Sequence, residues 1–286
     1  MATPENYFDL VVPQYVILII FATVSSSLSL GNYNPLPVGI AIVSLSLAVF
    51  GLNAFNQVFD VEIDKASKKG RPIVLGALSR KKVLVFSIAC FLASLAIAAA
   101  FAAAIVSVVL FFVFLSVIYS APPIRLKRFG IMSNAVGGTL YGALPFLCAS
   151  AISGNFVLIY FFFFYGITIF LATMKDFEDM EAEKKLGIRT LPVLLGARRA
   201  KQLVDAGIFF VIAATTIAGA AVFGILQAAP GILCLVLLYK FCKIGFDAKE
   251  KVTSQSRSVT KAMLVIALME LVFGAITAFL MTYHIS

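Results

Sequence analysis

The chain is a succession of apolar runs, each close to the roughly 20 residues a helix needs to cross a bilayer. They cover Val12 to Leu30, Pro37 to Phe59, Val83 to Phe101, Ala102 to Tyr119, Ser133 to Ile152, Phe156 to Met174, Leu203 to Phe223, Leu226 to Tyr239, and Met263 to Tyr283. No Gly or Pro divides Val83 to Tyr119, but that run is too long for one ordinary span and about right for two. The eighth run is short and needs Lys240 and Lys243 to snorkel. Hydrophobic residues make up 61% of the chain, mean hydropathy is +1.02 and only 13% of residues are charged, far from soluble averages. The pattern predicts an all-α, polytopic membrane protein of about nine transmembrane helices in a single domain, 1–286. Met1 to Pro13 has no Lys or Arg, and the apolar run after it is too long for a signal peptide, so the first segment is expected to stay and span.

The basic residues test this count independently. Loops 60–82, 120–132, 175–201 and 239–261 hold seven, three, seven and six, which together are all 23 Lys and Arg of the chain. With nine spans, all four loops fall on one side, and the excess of positive charge marks that side as cytoplasmic. The net charge of +9 is therefore a topology signal. Nucleic acid is a poor partner, because the basic residues are divided among loops and interleaved with acids. The expected location is the cell membrane, multi-pass.

Two acidic segments interrupt the apolar chain: Asn56-Gln-Val-Phe-Asp60-Val-Glu62-Ile-Asp64, and Asp176-Phe-Glu178-Asp179-Met-Glu181-Ala-Glu183. Together they hold eight of the 14 acidic residues. Carboxylates at the ends of apolar spans are costly unless they pair or bind metal, so these segments mark the chemistry. They also belong to an internal repeat. Asp60-Val-Glu62-Ile-Asp64-Lys65 matches Asp179-Met-Glu181-Ala-Glu183-Lys184, and Pro72-Ile-Val-Leu-Gly76-Ala77 matches Pro192-Val-Leu-Leu-Gly196-Ala197, at offsets of 119 and 120 residues. Residues 37–132 and 156–261 then form two parallel four-helix repeats, with the ninth helix extra. Parallel repeats around a central cavity bring the two acidic segments face to face, on the cytoplasmic side.

On a helix, Asn56, Asp60 and Asp64 follow i, i+4, i+8, while Asp176, Asp179 and Glu183 follow i, i+3, i+7, so each trio is expected to share a face. Glu178 and Glu181 are expected to point elsewhere, into solvent. Stacked oxygens repel unless a cation sits among them, and oxygen ligands without His or Cys suit Mg2+ far better than zinc. Asp60, Asp64, Asp176, Asp179 and Glu183 are the candidate Mg2+ ligands. Mg2+ held by carboxylates usually completes its shell with substrate phosphate. Lys68, Arg71, Lys127 and Arg189 are the candidates to neutralise the rest of that charge, with Asn56 beside them. The arrangement points to a diphosphate site.

At these motifs the chain resembles the UbiA superfamily of intramembrane prenyltransferases. The resemblance rests on Asn56-x3-Asp60-x3-Asp64, on the second acidic motif ahead of Gly187-Ile-Arg189-Thr190-Leu-Pro192, and on Tyr119-Ser-Ala-Pro-Pro-Ile-Arg125-Leu-Lys127. It implies a helical bundle, a polyprenyl diphosphate donor, and Mg2+ bridging the diphosphate to both acidic motifs. Asp60, Asp64 and Asp176 would then act in catalysis by holding that metal, and departure of diphosphate would leave an allylic cation for an acceptor to capture. With 27 Phe and 9 Tyr, the chain is suited to line an apolar tunnel, and Tyr119 is the candidate to present its ring to the cation. The chain departs from the family pattern at Gln57 and Glu183, where Asp is common. Among the family's reactions, the Asp-Val-Glu-Ile-Asp run and compact loops resemble most the archaeal ether-lipid enzymes, implying transfer of a geranylgeranyl group to geranylgeranylglyceryl phosphate. The Tyr-Ser-Ala-Pro-Pro stretch also resembles the chlorophyll and tocopherol branch, which keeps an aromatic acceptor of quinone, chlorophyll or haem-type pathways as the alternative. An ion-coupled transporter is the reading from another class, since parallel repeats and membrane carboxylates serve there too.

Each assignment has a plainer counterpart. Asp60 and Asp64 would be loop acids paired with Lys65 or Lys68, Arg71 and Arg189 charges that bind lipid headgroups, Asn56 a helix-packing residue, and Tyr119 an interfacial anchor. Gly137, Gly138 and Gly142 are read as sites of close helix packing, and Pro145 as a kink. Cys90, Cys148, Cys234 and Cys242 lack metal-ligand spacing and read as small core residues. His284, near the C-terminus on the opposite side, is not expected to act.

Overall fold

The computed structural model describes residues 7–67, 69–101, 103–244 and 252–284, with the side chains of 252–256 and 283–284 outside the description. Lys68 and the His284 side chain therefore lie outside the described residues. Helices α1 (Pro13–Ser29), α2 (Pro35–Phe59), α3 (Val61–Ala66), α4 (Arg80–Phe101) and α5 (Ala103–Ser120) build the first half. A span divided into α6 (Gly130–Gly138), a π turn (Thr139–Ala143) and α7 (Leu144–Ser153) follows. Helices α8 (Leu158–Lys185), α9 (Leu191–Leu195), α10 (Ala197–Phe223), α11 (Ala229–Cys242) and α12 (Val252–His284) complete the chain. Among the described residues, eight segments are long and apolar enough to cross a bilayer, and the apolar α1 adds a ninth, shorter one. The run from Val83 to Tyr119 does divide, α4 ending at Phe101 and α5 beginning at Ala103.

Local signals account for the helix starts. Pro stands in the first turn of α1, α2, α9 and α11, where the missing N–H leaves the helix start intact. The Asn34 side chain also accepts from the Leu36 N–H at 3.2 Å, capping α2. Once in the bilayer, each segment must satisfy its own backbone groups, which keeps these runs helical.

The buried apolar residues form two large clusters. One joins α2, α5, α6 and α7; the other joins α8, α10, α11 and α12. Tyr15 and Tyr141 pack against both, their rings stacked with centroids 5.0 Å apart. Between α2 and α4, the hydroxyls of Ser87 and Ser94 donate to the carbonyls of Gly51 and Ser44 at 2.7 and 2.6 Å, the small-residue and hydroxyl packing that holds helices together where water cannot. Leu92, Phe114, Phe210, Ile217 and Val236 point outward, as a lipid-facing surface requires.

The glycine readings hold. A Cβ on Gly137 would lie 2.6 Å from that of Ala172, and one on Gly142 would run into the Phe164 carbonyl oxygen, so the divided span lies directly against α8. The π turn precedes Pro145, whose ring cannot donate the next helical hydrogen bond. Cys90, Cys148 and Cys234 are buried and free; Cys242 is exposed, because α11 ends there.

Candidate active site

The first acidic motif straddles the end of α2. The backbone leaves the helix at Asp60 (φ −98°, ψ 10°) and resumes as α3, but the Asp60 N–H still donates to Asn56 and the Asp64 N–H to Asp60, both at 2.8 Å. The i, i+4, i+8 register thus survives the joint, and Asn56, Asp60 and Asp64 all line a cavity of about 370 Å³. The hydroxyl of Ser120 donates to Asn56 Oδ1. Lys127 Nζ donates to Asp60 Oδ2 at 2.6 Å, and Arg125 Nη2 donates both to Asp60 Oδ1 and to the Phe59 carbonyl at 3.1 Å. To aim there, Arg125 takes a left-handed backbone conformation (φ 44°), rare for a residue with a side chain. Burial pushes the Asp60 carboxyl up, but Lys127, Lys175 and Arg125 outweigh it and hold the group below the usual carboxylate range. At Asp64 burial wins over Lys69 and Arg71, and the carboxyl is raised.

The second motif lies on the unbroken end of α8. Asp179 is tied to the loop of the first motif: Lys69 Nζ stands 2.7 Å from Oδ1, and the Ser67 hydroxyl donates to the same oxygen at 2.9 Å. Glu178 Oε2 lies 3.5 Å from Lys69 Nζ. Burial disfavours the charged Lys69, yet Asp179 and Glu178 more than compensate and raise its pKa. The two acidic segments are thereby joined across more than a hundred residues of chain.

One expectation about α8 needs correction. Glu178 is not in solvent; it is largely buried and lines the cavity. Asp176 and Glu183 are buried beside the cavity, outside its lining. One Asp176 oxygen has no partner among the described residues, and Glu183 accepts from the Thr190 hydroxyl at 2.7 Å. The cavity stripe of α8 is Thr168, Leu171, Ala172, Lys175, Glu178 and Asp179. Successive helical residues are about 100° apart, so a stripe centred on Lys175 and Asp179 leaves Asp176 and Glu183 on its flank. Glu181 is exposed, as expected.

The remaining candidates divide. Arg71 lines the cavity. Lys127 stands behind Asp60, only 4% exposed. Arg189 is exposed, and its backbone forms an isolated parallel bridge with Phe129, its carbonyl accepting from the Gly130 N–H at 3.2 Å. Tyr119 lines the cavity with its hydroxyl 3.1 Å from that of Ser133. Gln57 donates to the Leu10 carbonyl at 3.2 Å while also lining the cavity. Among the described residues, no three acidic, His or Cys side chains converge closely enough to grip one ion. The donor set on the wall, carboxylates and amides with no His or Cys, nevertheless has the oxygen chemistry Mg2+ requires.

Three side chains escaped the sequence reading of the site: Lys69, Lys175 and Arg125. Lys69 has no sequence signal that separates it from its neighbour Lys68. Lys175 carried the one available signal, four residues before Asp179 and hence on the same face.

Acids and lysines thus close the polar end of a cavity whose other walls are Leu18, Leu52, Leu140, Leu171 and Met263. In a multi-pass membrane protein, that combination has the chemistry to accommodate an amphiphile with an anionic head. Residues 17–269 match the profile of the UbiA prenyltransferase family, so the chain belongs to that family and is a prenyltransferase. It is 32% identical over 244 residues to the digeranylgeranylglyceryl phosphate synthase of Thermococcus kodakarensis, covering 82% of this chain and 81% of the relative. The enzyme of the same name from Pyrococcus abyssi is 28% identical over 87% of this chain and 90% of its own. The fold is that of a UbiA homologue from Archaeoglobus fulgidus bound to GPP and Mg2+, with a TM-score of 0.71 at 19% identity, covering 96% of this chain and 99% of that one.

Proposed function

We infer that the protein transfers a geranylgeranyl group from its diphosphate to the free hydroxyl of geranylgeranylglyceryl phosphate, in the presence of Mg2+ and at the cytoplasmic face of the membrane. One observation carries the reading: carboxylates and ammonium groups from both acidic segments gather around a cavity whose walls also include Leu18, Leu52, Leu140, Leu171 and Met263. The relatives' names support the acceptor, and the concentration of all Lys and Arg in four loops supports the orientation.

Asn56, Asp60, Asp64 and Asp179 are the residues that would hold Mg2+, with Glu178 beside them; Asp176 and Glu183 stand behind that wall as its buried support. The metal would supply Lewis-acid stabilisation of the diphosphate as it departs. Lys69, Arg71 and Lys127 would share the negative charge of the diphosphate, Lys69 and Lys127 exchanging their present carboxylate partners for phosphate oxygens. Lys68 and Arg189 remain candidates at the loop mouth. The C1–oxygen bond breaks with its electrons on the diphosphate, the acceptor oxygen bonds to C1, and the hydroxyl proton is released. Tyr119, held by Ser133, would face the allylic cation. The apolar walls exclude water that would otherwise capture it.

We read 37–132 and 156–261 as parallel repeats. A long helix that leads into the acidic motif, a turn closing on Gly76 (φ 72°) or Gly196 (φ 76°), and two spans occur in that order twice. The test of function is a product assay with purified protein, Mg2+, labelled geranylgeranyl diphosphate, and glycerophosphate or aromatic acceptors. A labelled diether phosphate is expected; transfer only to aromatic acceptors would refute the acceptor assignment.

A further inference from the structure

Most charges of the site pair off, and among the described residues Lys175, Arg71 and Asp64 line the cavity without an ion pair, Arg71 and Asp64 near the loop and Lys175 deeper on α8. Asp60 is taken by Lys127 and Arg125, and Asp179 with Glu178 by Lys69. Lys175 also lines the cavity, yet no carboxylate lies within 4.0 Å of its Nζ among the described residues; its nearest recorded neighbour is the Tyr119 ring, 5.8 Å from the ammonium to the centroid. Across the cavity on α2, Asn53 is 6% exposed and its amide Nδ2 has no hydrogen-bond partner among the described residues. An enclosed ammonium with no carboxylate in contact, acting on Asp60 only at longer range, and a buried amide without an acceptor are both costly, and one anion between them would relieve both.

Their depth separates them from the diphosphate site. Lys175 is four residues before Asp179 on α8, and Asn53 seven before Asp60 on α2, so both lie toward the bilayer centre by about 6 Å or more at 1.5 Å per residue. That is the side of the diphosphate on which C1 of the donor must sit. An acceptor that brings a glycerol hydroxyl to C1 carries its own phosphate ester a few bonds away. We propose that Lys175 and Asn53 form a second anion subsite, which binds the monophosphate of the acceptor and so selects a phosphorylated glycerol lipid over its free alcohol. The inference rests on the acceptor assigned above.

The test is steady-state kinetics of wild type, Lys175→Met, Lys175→Arg and Asn53→Asp with geranylgeranyl diphosphate and either geranylgeranylglyceryl phosphate or its dephosphorylated alcohol. Loss of one charge-assisted hydrogen bond predicts a rise in KM for the phosphorylated acceptor of about 10- to 100-fold in Lys175→Met, with donor KM within about threefold of wild type. Lys175→Arg should recover part of the loss, Asn53→Asp should repel the phosphate to similar effect, and the alcohol should be indifferent to all three. If Lys175→Met has no turnover, equilibrium binding of each substrate replaces KM, and weakened acceptor binding with intact donor binding is the expected result. An unchanged acceptor KM or affinity with weakened donor binding would assign Lys175 to the diphosphate and overturn the subsite. Wild type that ignores both glycerol lipids and prenylates an aromatic acid would instead overturn the proposed acceptor. In that case an unaltered KM for the aromatic acid in Lys175→Met would also overturn the subsite.

Discussion

The ion pair between Asp60 and Lys127 yields the sharpest quantitative expectation. Lys127 is buried, with Nζ 2.6 Å from Asp60 Oδ2, so Asp60→Ala leaves an ammonium enclosed without its counter-ion. Breaking a buried pair from one side costs about 3–5 kcal/mol, most of it the penalty of the stranded charge. With an unfolding entropy of about 2.1 cal/mol/K per residue, 286 residues give about 0.6 kcal/mol/K, so the melting midpoint should fall by about 5–8 °C. Asp60→Ala/Lys127→Met removes both charges of this pair and should recover part of that fall, Arg125 still lacking its carboxylate, while neither variant transfers prenyl groups. Thermal unfolding of the detergent-solubilised protein, followed by tyrosine fluorescence, measures the cycle, and product formation is scored in parallel. A single variant that melts within about 2 °C of wild type, or a double variant no better than the single, would refute the claim that this pair is desolvated. The pH dependence has a definite sign. Because the folded carboxyl of Asp60 lies below its ordinary value, its stabilisation is fully present above the ordinary carboxylate pKa and is lost as pH falls through the lowered one. Asp60→Ala should therefore show a shallower loss of stability on the acid side, and an unchanged acid limb would count against it.

Other perturbations probe the bundle and the site separately. Gly142→Val puts a side chain against the backbone carbonyl of Phe164, which cannot turn away, and should cost about 1–3 kcal/mol or more; a melting midpoint equal to wild type would mean that α8 and the divided span are not so close. Glu270 is fully buried in α12 with neither carboxylate oxygen partnered among the described residues, so Glu270→Leu should raise the melting midpoint, and a fall would reveal a partner that pays for its burial. Chelation of divalent metal should stop diphosphate release and readdition of Mg2+ restore it; turnover unaffected by chelator would remove the metal from the reaction. Exposed Lys65 and Lys184, each replaced by Cys, should both react with a membrane-impermeant thiol reagent from the cytoplasmic side, and labelling from opposite sides would break the parallel-repeat reading.

The sequence by itself determined everything that depends on the bilayer and on one helix at a time. Apolar run lengths set the spans, because the thickness to be crossed is fixed, and the gathering of every Lys and Arg into four loops put both acidic segments on one side. Spacing kept Asn56, Asp60 and Asp64 in register even across the break after Phe59, since the i to i−4 hydrogen bonds continue there. The tertiary structure decided what periodicity leaves free: the rotation of a helix about its own axis and the partner it meets. Asp176 and Glu183 share a face as their spacing requires, but the packing of α6 on α8 turned Lys175, Glu178 and Asp179 to the cavity instead. Lys69 with Asp179, and Arg125 and Lys127 with Asp60, are pairs set by folding across 110, 65 and 67 residues, and no local pattern encodes them. Composition can count charges, but only packing decides which are neutralised, and that Lys175 has no carboxylate in contact among the described residues is visible only in the packed bundle.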